Sequence, residues 1–315
     1  MASEARHQPV WIAVLVVPVI VAIALATFSW SAANLEPRDL PLGAAGPPQT
    51  TAPLEAKLAE REGAFEVHRY ADEAAAIDAI KDRNVYGAVV VAPDGQKLLT
   101  APAASPTVAS LLEESLAGPQ TKVSEVVPAD PDDPRGTGFA SLGLPLVLAG
   151  VIAGVVIAML GRPGLTEIGA LAATAAVSGL VTILMVQGWL GVIGGPWLVN
   201  AGVVALGVFA TASTVAGFRA LFGPAGIGIA ALLMVFVGNP WSGIGSAPEM
   251  LPKAAGFIGQ LLPPGAASQL LRNTAFFDGA DSGGHVAVLL AWTVVGVGAI
   301  LAGAAQQRRR TEVAS

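Results

Sequence analysis

Cysteine is absent from this 315-residue chain, which excludes disulfides, thiol chemistry and any cysteine-based metal centre. Charge is scarce too: 13% of residues are Asp, Glu, Lys or Arg, about half the share of an ordinary soluble domain. The charge present is unevenly placed, with 17 of the 23 acidic residues between Glu36 and Asp133 and few beyond. Histidine is limited to His7, His68 and His285, whose separations fit neither a zinc site nor a nucleophilic triad. The glycine runs "GRPG" and "FGPAGIG" lack the Lys and Ser or Thr of a phosphate loop. No cofactor is therefore expected in this chain, and ATP, if used at all, would be bound by a separate ATPase subunit. Asp130, Asp132 and Asp133 lack the spacing and the closing Glu of a calcium loop and read as a solvated linker. No pair of acids, histidines or serines is placed for catalysis within the apolar runs, so an enzyme is not expected.

What is present is hydrophobic length. Apolar residues make up 53% of the chain, in runs long enough to cross a bilayer, which takes about 20 residues. Six spans are expected: Val10–Phe28, Phe139–Leu160, Leu165–Leu190, Trp197–Phe218, the short Pro224–Gly238, and His285–Ala304. Lys and Arg favour the cytoplasmic side of short loops. With the N-terminus inside, Arg6, Arg162, Arg219 and Arg308–Arg310 are cytoplasmic, and the acidic block lies outside. "WSAAN" resembles a cleavage site, but Val10–Phe28 exceeds the 7–15 apolar residues of a signal peptide, which favours an uncleaved anchor. The fold class is thus a polytopic α-helical membrane protein of the plasma membrane, with both termini cytoplasmic. Its parts are the N-terminus with helix 1 (1–30), an extracytoplasmic domain (31–137), helices 2 to 6 (138–305) and a basic tail (306–315).

The segment 31–137 alternates short β-branched runs with helical patterns, which predicts a small α/β domain with a largely parallel sheet. "DLPLGAAG", "AFEVHRY", "YGAVVVAP", "QKLLTAPA" and "TKVSEVVPA" read as strands. "PLEAKLAERE", "ADEAAAIDAIKDRN" and "SPTVASLLEESLAG" read as helices, the last with Ser105 as cap before Pro106. Glu167, at the edge of the third span, is expected to anchor at the headgroups. Gln187 and Asn200 either line a polar cavity or face water. Glycines recur in the spans and allow close helix packing, within one chain or at a dimer seam.

Between the last two spans, at 239–284, lies a Pro-punctuated apolar segment, "PEMLPKAAGFIGQLLPPGAASQLLRNTAFFDG". Pro252 can start a short helix, Pro263, Pro264 and Gly265 can stop it, and a second helix can carry Ala267, Leu270 and Leu271 to Arg272. The pattern reads as a re-entrant helical hairpin on the outer side. It resembles the region before the last span of ABC-2-type transporter permeases, in the features Pro248, Met250, Pro252, Leu262, Pro263 and Arg272. One span, an outer domain and five further spans, with "VYGAVVVAP" in that domain, is similar to the YhgE/Pip (phage infection protein) subgroup. The resemblance implies a non-enzymatic permease subunit, homodimeric, exporting a lipid-like or amphipathic substrate from the membrane lipid, with the hairpin as gate. It also implies a cytoplasmic ATPase partner, met near Arg162 and Glu167, and no nucleic acid. The sequence departs from the family in the short segment before span 1 and in "GRPGLTE" between spans 2 and 3, where the family has helices that contact the ATPase. The competing expectation is a non-transporting scaffold or receptor whose outer domain binds a partner protein or envelope component.

Overall fold

The structure is a computed structural model that describes residues 8–92 and 95–314. Arg6 and His7 lie outside the described residues.

The chain enters through helix α1 (Gln8–Ala33), then forms a five-stranded sheet domain. Its strands are β1 (Leu40–Ala45), β2 (Phe65–Tyr70), β3 (Gly87–Ala92), β4 (Gly95–Thr100) and β5 (Lys122–Glu125). Helices α2 (Pro48–Ala59), α3 (Glu73–Lys81) and α4 (Pro106–Leu116) connect them. The order is β2-β1-β3-β4-β5. Pairs β1–β2, β1–β3 and β4–β5 are parallel, and β3–β4 is antiparallel, with Gly87 opposite Thr100. This is the largely parallel sheet that the alternation of strands and helices implies. The caps follow the sequence: Ser105 accepts from the Val108 N–H at 3.2 Å with Pro106 next in line, and Asp72 accepts from Ala75 N–H at 2.9 Å. Leu40, Leu42, Ile80, Leu98, Leu99 and Leu112 are fully buried and form the centre of the core. Strands β1 and β3, in the middle of the sheet, are apolar throughout because helices cover it.

The remainder is helical. The helices are α5 (Thr137–Ser141), α6 (Gly143–Leu160), α7 (Leu165–Ile183), α8 (Trp197–Phe222), α9 (Pro224–Leu232), α10 (Lys253–Gln260), α11 (Pro263–Phe276) and α12 (Gly283–Ala314). Two of them widen at their ends into π turns, α7 over Leu184–Trp189 and α9 over Leu233–Gly238. Five stretches have the length and hydropathy to cross a membrane: Val14–Ala33, Thr137–Leu160, Leu165–Trp189, Trp197–Phe222 and Gly283–Arg310. With these spans the chain is a multi-pass membrane protein. The sixth apolar stretch, Pro224–Gly238, is shorter. At about 1.5 Å per residue it covers about 22 Å, less than the hydrocarbon thickness of about 30 Å.

Helix α8 is the hub. It packs against α6, α7, α9, α11 and α12, and most of Asn200–Gly217 is buried, without a break from Ala210 on. Small residues make this possible. A Cβ at Gly150 of α6 would meet Thr211 Cβ at 2.6 Å, and one at Gly296 of α12 would meet Ser213 Oγ at 2.6 Å. Gly154, Gly179, Gly217 and Gly303 are equally tight at other contacts of α8. These span glycines therefore serve packing within one chain, with van der Waals contact replacing the hydrophobic drive that lipid does not supply. Helix α1 is the opposite case: only 6% of its apolar window is buried, and Leu15, Val17, Val19 and Leu25 are exposed.

One expectation is corrected in the connection to α5. Asp133 is buried rather than solvated, and its carboxylate accepts from Gly138 N–H at 3.0 Å, Phe139 N–H at 2.8 Å and Thr137 Oγ–H at 3.4 Å. It closes the otherwise bare N–H groups that begin the second span.

Candidate functional site

The Pro-rich segment folds as a short 3-10 turn at Pro248–Met250, then α10, then α11. Pro252 caps α10. The turn between the helices falls at Leu261 and Leu262, and Pro263 and Pro264 occupy the first positions of α11. This corrects the reading of Pro263, Pro264 and Gly265 as a stop: they begin the second helix. Proline lacks the N–H that a first turn leaves unpaired and has the right φ. Gly265 is required by closeness, since a Cβ there would collide with the carbonyl of Gly259.

Helix α11 is buried along almost its whole length, including Ser268, Gln269, Arg272, Asn273 and Thr274. Its far end lies by the start of α8, where Thr274 Oγ donates to Asn200 Oδ1 at 2.8 Å. Further along, Ala267 faces Gly207 of α8, and the Pro264 ring packs on Gly238 at the end of the short apolar stretch. Trp292 Nε1, on α12, donates to the Leu261 carbonyl at 2.8 Å. Trp292 is nine residues past Gly283, so the tip of the α10–α11 pair is about 14 Å along α12 from its start. Pro263 and Pro264 close one side of an apolar crevice between α6 and α8, with Leu146, Val147, Val208 and Thr211 on the other sides. On α10, Phe257 is 69% exposed and Ile258 is exposed as well, as is Leu261 in the turn that follows.

The sheet domain is bolted to this pair. Ala247, Met250 and Phe277 belong to the same apolar core as the sheet leucines. Glu36 N–H donates to the Met250 carbonyl at 3.1 Å, and Arg38 N–H to the Glu249 carbonyl at 2.9 Å. Lys253 pairs with Asp39. Arg272 is 3% exposed; its Nη1 donates to the Ala103 carbonyl at 3.0 Å and its Nη2 to the Ile244 carbonyl at 2.7 Å. The guanidinium also stacks over the Phe139 ring at 4.3 Å. One side chain thus joins the sheet domain, the stretch after α9, α11 and the second span. Asp133 is in electrostatic reach of Arg272 and offsets repulsion from Arg83. Arg83 donates to Gln269 Oε1 at 3.1 Å and lies over the rings of Tyr86 and Phe277. Tyr86 Oη donates to Glu249 Oε2 at 2.7 Å. Burial first, and the Glu249 carboxylate second, push the Tyr86 phenol above its ordinary range.

The sequence reading placed Pro248, Met250, Pro252, Leu262, Pro263, Pro264, Gly265 and Arg272 in one segment; in the structure Met250 and Arg272 meet the sheet domain, while Pro263 and Pro264 face the crevice between α6 and α8 at the other end of α11. It did not find Arg38, Arg83, Tyr86 or Glu249. The usable signal was Glu249, a carboxylate in an otherwise apolar stretch, which needs a donor close by.

Arg162 and Glu167 are elsewhere, at the other end of the spans. Arg162 is exposed in the four-residue connection 161–164 between α6 and α7. Glu167 is 3% exposed and neither carboxylate oxygen has a hydrogen-bond partner. The expected headgroup anchor is therefore a buried acid, because α7 turns Glu167 inward while Leu165 beside it stays exposed. Gln187 and Asn200 form a lock rather than a cavity lining. Asn200 Nδ2 donates to the Gly194 carbonyl at 2.8 Å and Gln187 Oε1 at 3.2 Å, and Gln187 Nε2 donates to the Gly195 carbonyl at 2.7 Å. Among the described residues no three His, Asp or Glu gather as a metal site.

A family model described as "ABC-2 family transporter protein" matches residues 9–126, which take in the first span and nearly all of the sheet domain. The α10–α11 seam lies outside the matched residues. No curated protein and no solved structure matches the chain. The likeness to a transporter family thus covers little more than a third of the chain.

Proposed function

We propose that this chain is the permease-like subunit of a membrane exporter, related to the YhgE/Pip subgroup, that moves a lipid-like or amphipathic substrate outward. Residues 31–137 lie outside the cell in this reading, both termini are cytoplasmic, and two copies form the working unit. The α10–α11 pair is a re-entrant gate. The observation that carries this is the bedding of the pair among the spans, with Leu261 held by Trp292 and Pro263 and Pro264 against the crevice between α6 and α8. In this reading the pair supplies the depth that the Pro224–Gly238 stretch is too short to reach. Non-helical backbone at that depth needs a protein partner, and the Leu261 carbonyl has one in the Trp292 indole N–H. ATP would act through a separate subunit, at the end of the spans that bears Arg162 and Glu167.

The test is purification of the native protein in mild detergent, with partner identification, ATP hydrolysis and export of a fluorescent lipid. An ATPase recovered in equal amount, and export lost in Pro263→Ala/Pro264→Ala at normal protein level, are expected. Unchanged export in that variant would remove the gate. The second reading, a scaffold or receptor, is favoured by the four-residue connection 161–164, which leaves little chain to grip an ATPase. Recovery with envelope proteins and no turnover would select it.

A further inference from the structure

At the end of the spans opposite the sheet domain, a polar crevice opens between the end of α8, the start of α9 and α12. Arg219, Arg310, Gln306 and Gln307 line it, with the backbone of Gly223 and Pro224. No acidic side chain lines it among the described residues. Arg219 is 22 residues past Trp197, about 33 Å along α8 and so just beyond a hydrocarbon core of about 30 Å. Gly303 packs on Ala220, where a Cβ would be 2.6 Å from its Cβ, and this brings α12 alongside at the same depth. Gln306 and Arg310 are therefore just past the same edge.

We propose that this crevice binds a phosphate, that of an anionic lipid headgroup. Two guanidiniums supply planar forks matched to phosphate oxygens, and the Gln306 amide adds a neutral donor. A basic pocket between membrane helices at the headgroup level is the arrangement that selects anionic lipid over zwitterionic lipid. Arg308 and Arg309, neighbours of Arg310 on α12, do not line the crevice. That separates a built site from diffuse attraction by the basic tail. Glu167 is within electrostatic reach of Arg219 but is not part of the lining. The proposal rests on the multi-pass reading and not on export.

The full-length protein is purified in neutral detergent, supplied with phosphatidylglycerol or phosphatidylcholine, and the lipid retained per chain is counted by native mass spectrometry. One phosphatidylglycerol per chain is expected, with retention about fivefold weaker in Arg219→Gln and in Arg310→Gln, from about 1 kcal/mol per basic side chain. Arg308→Gln/Arg309→Gln, which removes twice the charge of either, retains the lipid as the parent does. Equal loss in that control would reduce the site to general electrostatics. Equal retention of phosphatidylcholine would overturn headgroup selection. Complete displacement by millimolar inorganic phosphate, itself bound in the absence of lipid, would make this a free-phosphate site and overturn the lipid assignment.

Discussion

Replacing Arg272 by Met tests whether one side chain holds the sheet domain to the helical pair. The substitution keeps much of the stem and removes the fork. It strips two charge-assisted hydrogen bonds, to Ala103 and Ile244, and a desolvated stack on Phe139. A bond from a charged donor is worth about 1.5–3 kcal/mol, and the stack about 2 kcal/mol when desolvated. Against this stands relief from burying a cation beside Arg83, several kcal/mol after relaxation. We expect a net loss of about 3 kcal/mol at the seam. Amide hydrogen exchange reads it directly: residues 101–105 and 244–250 should exchange about a hundredfold faster, at about 1.4 kcal/mol per tenfold, while the centre of α8 keeps its protection. Arg272→Lys should recover less than half, because an ammonium is a point charge and cannot span two carbonyls as a planar fork does. Unchanged exchange in both segments of Arg272→Met would refute the reasoning, as would full rescue by Lys.

Asn200→Ala should free the 190–196 connection. It removes the donor to Gly194 and Gln187 and the acceptor for Thr274, a loss of about 2 kcal/mol from stranded buried groups, seen as faster limited proteolysis there with the spans intact. On the sheet domain, the Arg69 hydrogen bond holds the Glu55 carboxyl below its ordinary value. A depressed carboxyl contributes stability that is complete above its unfolded pKa and fades as pH falls through the folded one. Glu55→Gln should therefore be less stable than the parent at neutral pH, and the difference should shrink to nothing in acid; a constant difference would mean that the pair acts through packing alone.

The sheet domain was legible because its signals are local. Ser105 before Pro106, the β-branched run in "YGAVVVAP" and the spacing of Val108 and Leu112 each declare an element without reference to the rest of the chain. Five of the six expected spans were legible for the same reason, through length and hydropathy. What periodicity could not supply was the company each polar residue keeps. Asp133 sits among prolines and aspartates and has the composition of a linker, yet the N-terminus of α5 folds back on its carboxylate. Glu167, two residues into a helix, has the reach of an anchor, but reach does not say which way the helix turns that residue.

Helix α11 shows why the seam itself was only half visible. Ser268, Gln269, Arg272, Asn273 and Thr274 would mark an exposed helix in water and an impossible one in lipid. They are buried because protein covers α11 on two sides: the sheet domain supplies Ala103 and Arg83, and the spans supply Asn200. The same double cover limits how the pair can move. Withdrawing α11 from the sheet domain strands the Ala103 carbonyl and a buried guanidinium; withdrawing it from α8 strands Asn200 and Thr274. The first withdrawal breaks a hydrogen bond of a buried charge, whereas the second costs that charge only its stack on Phe139, and an unpaired buried charge is the more expensive of the two. If the pair opens, the separation therefore falls between α11 and the spans, and the sheet domain travels with it.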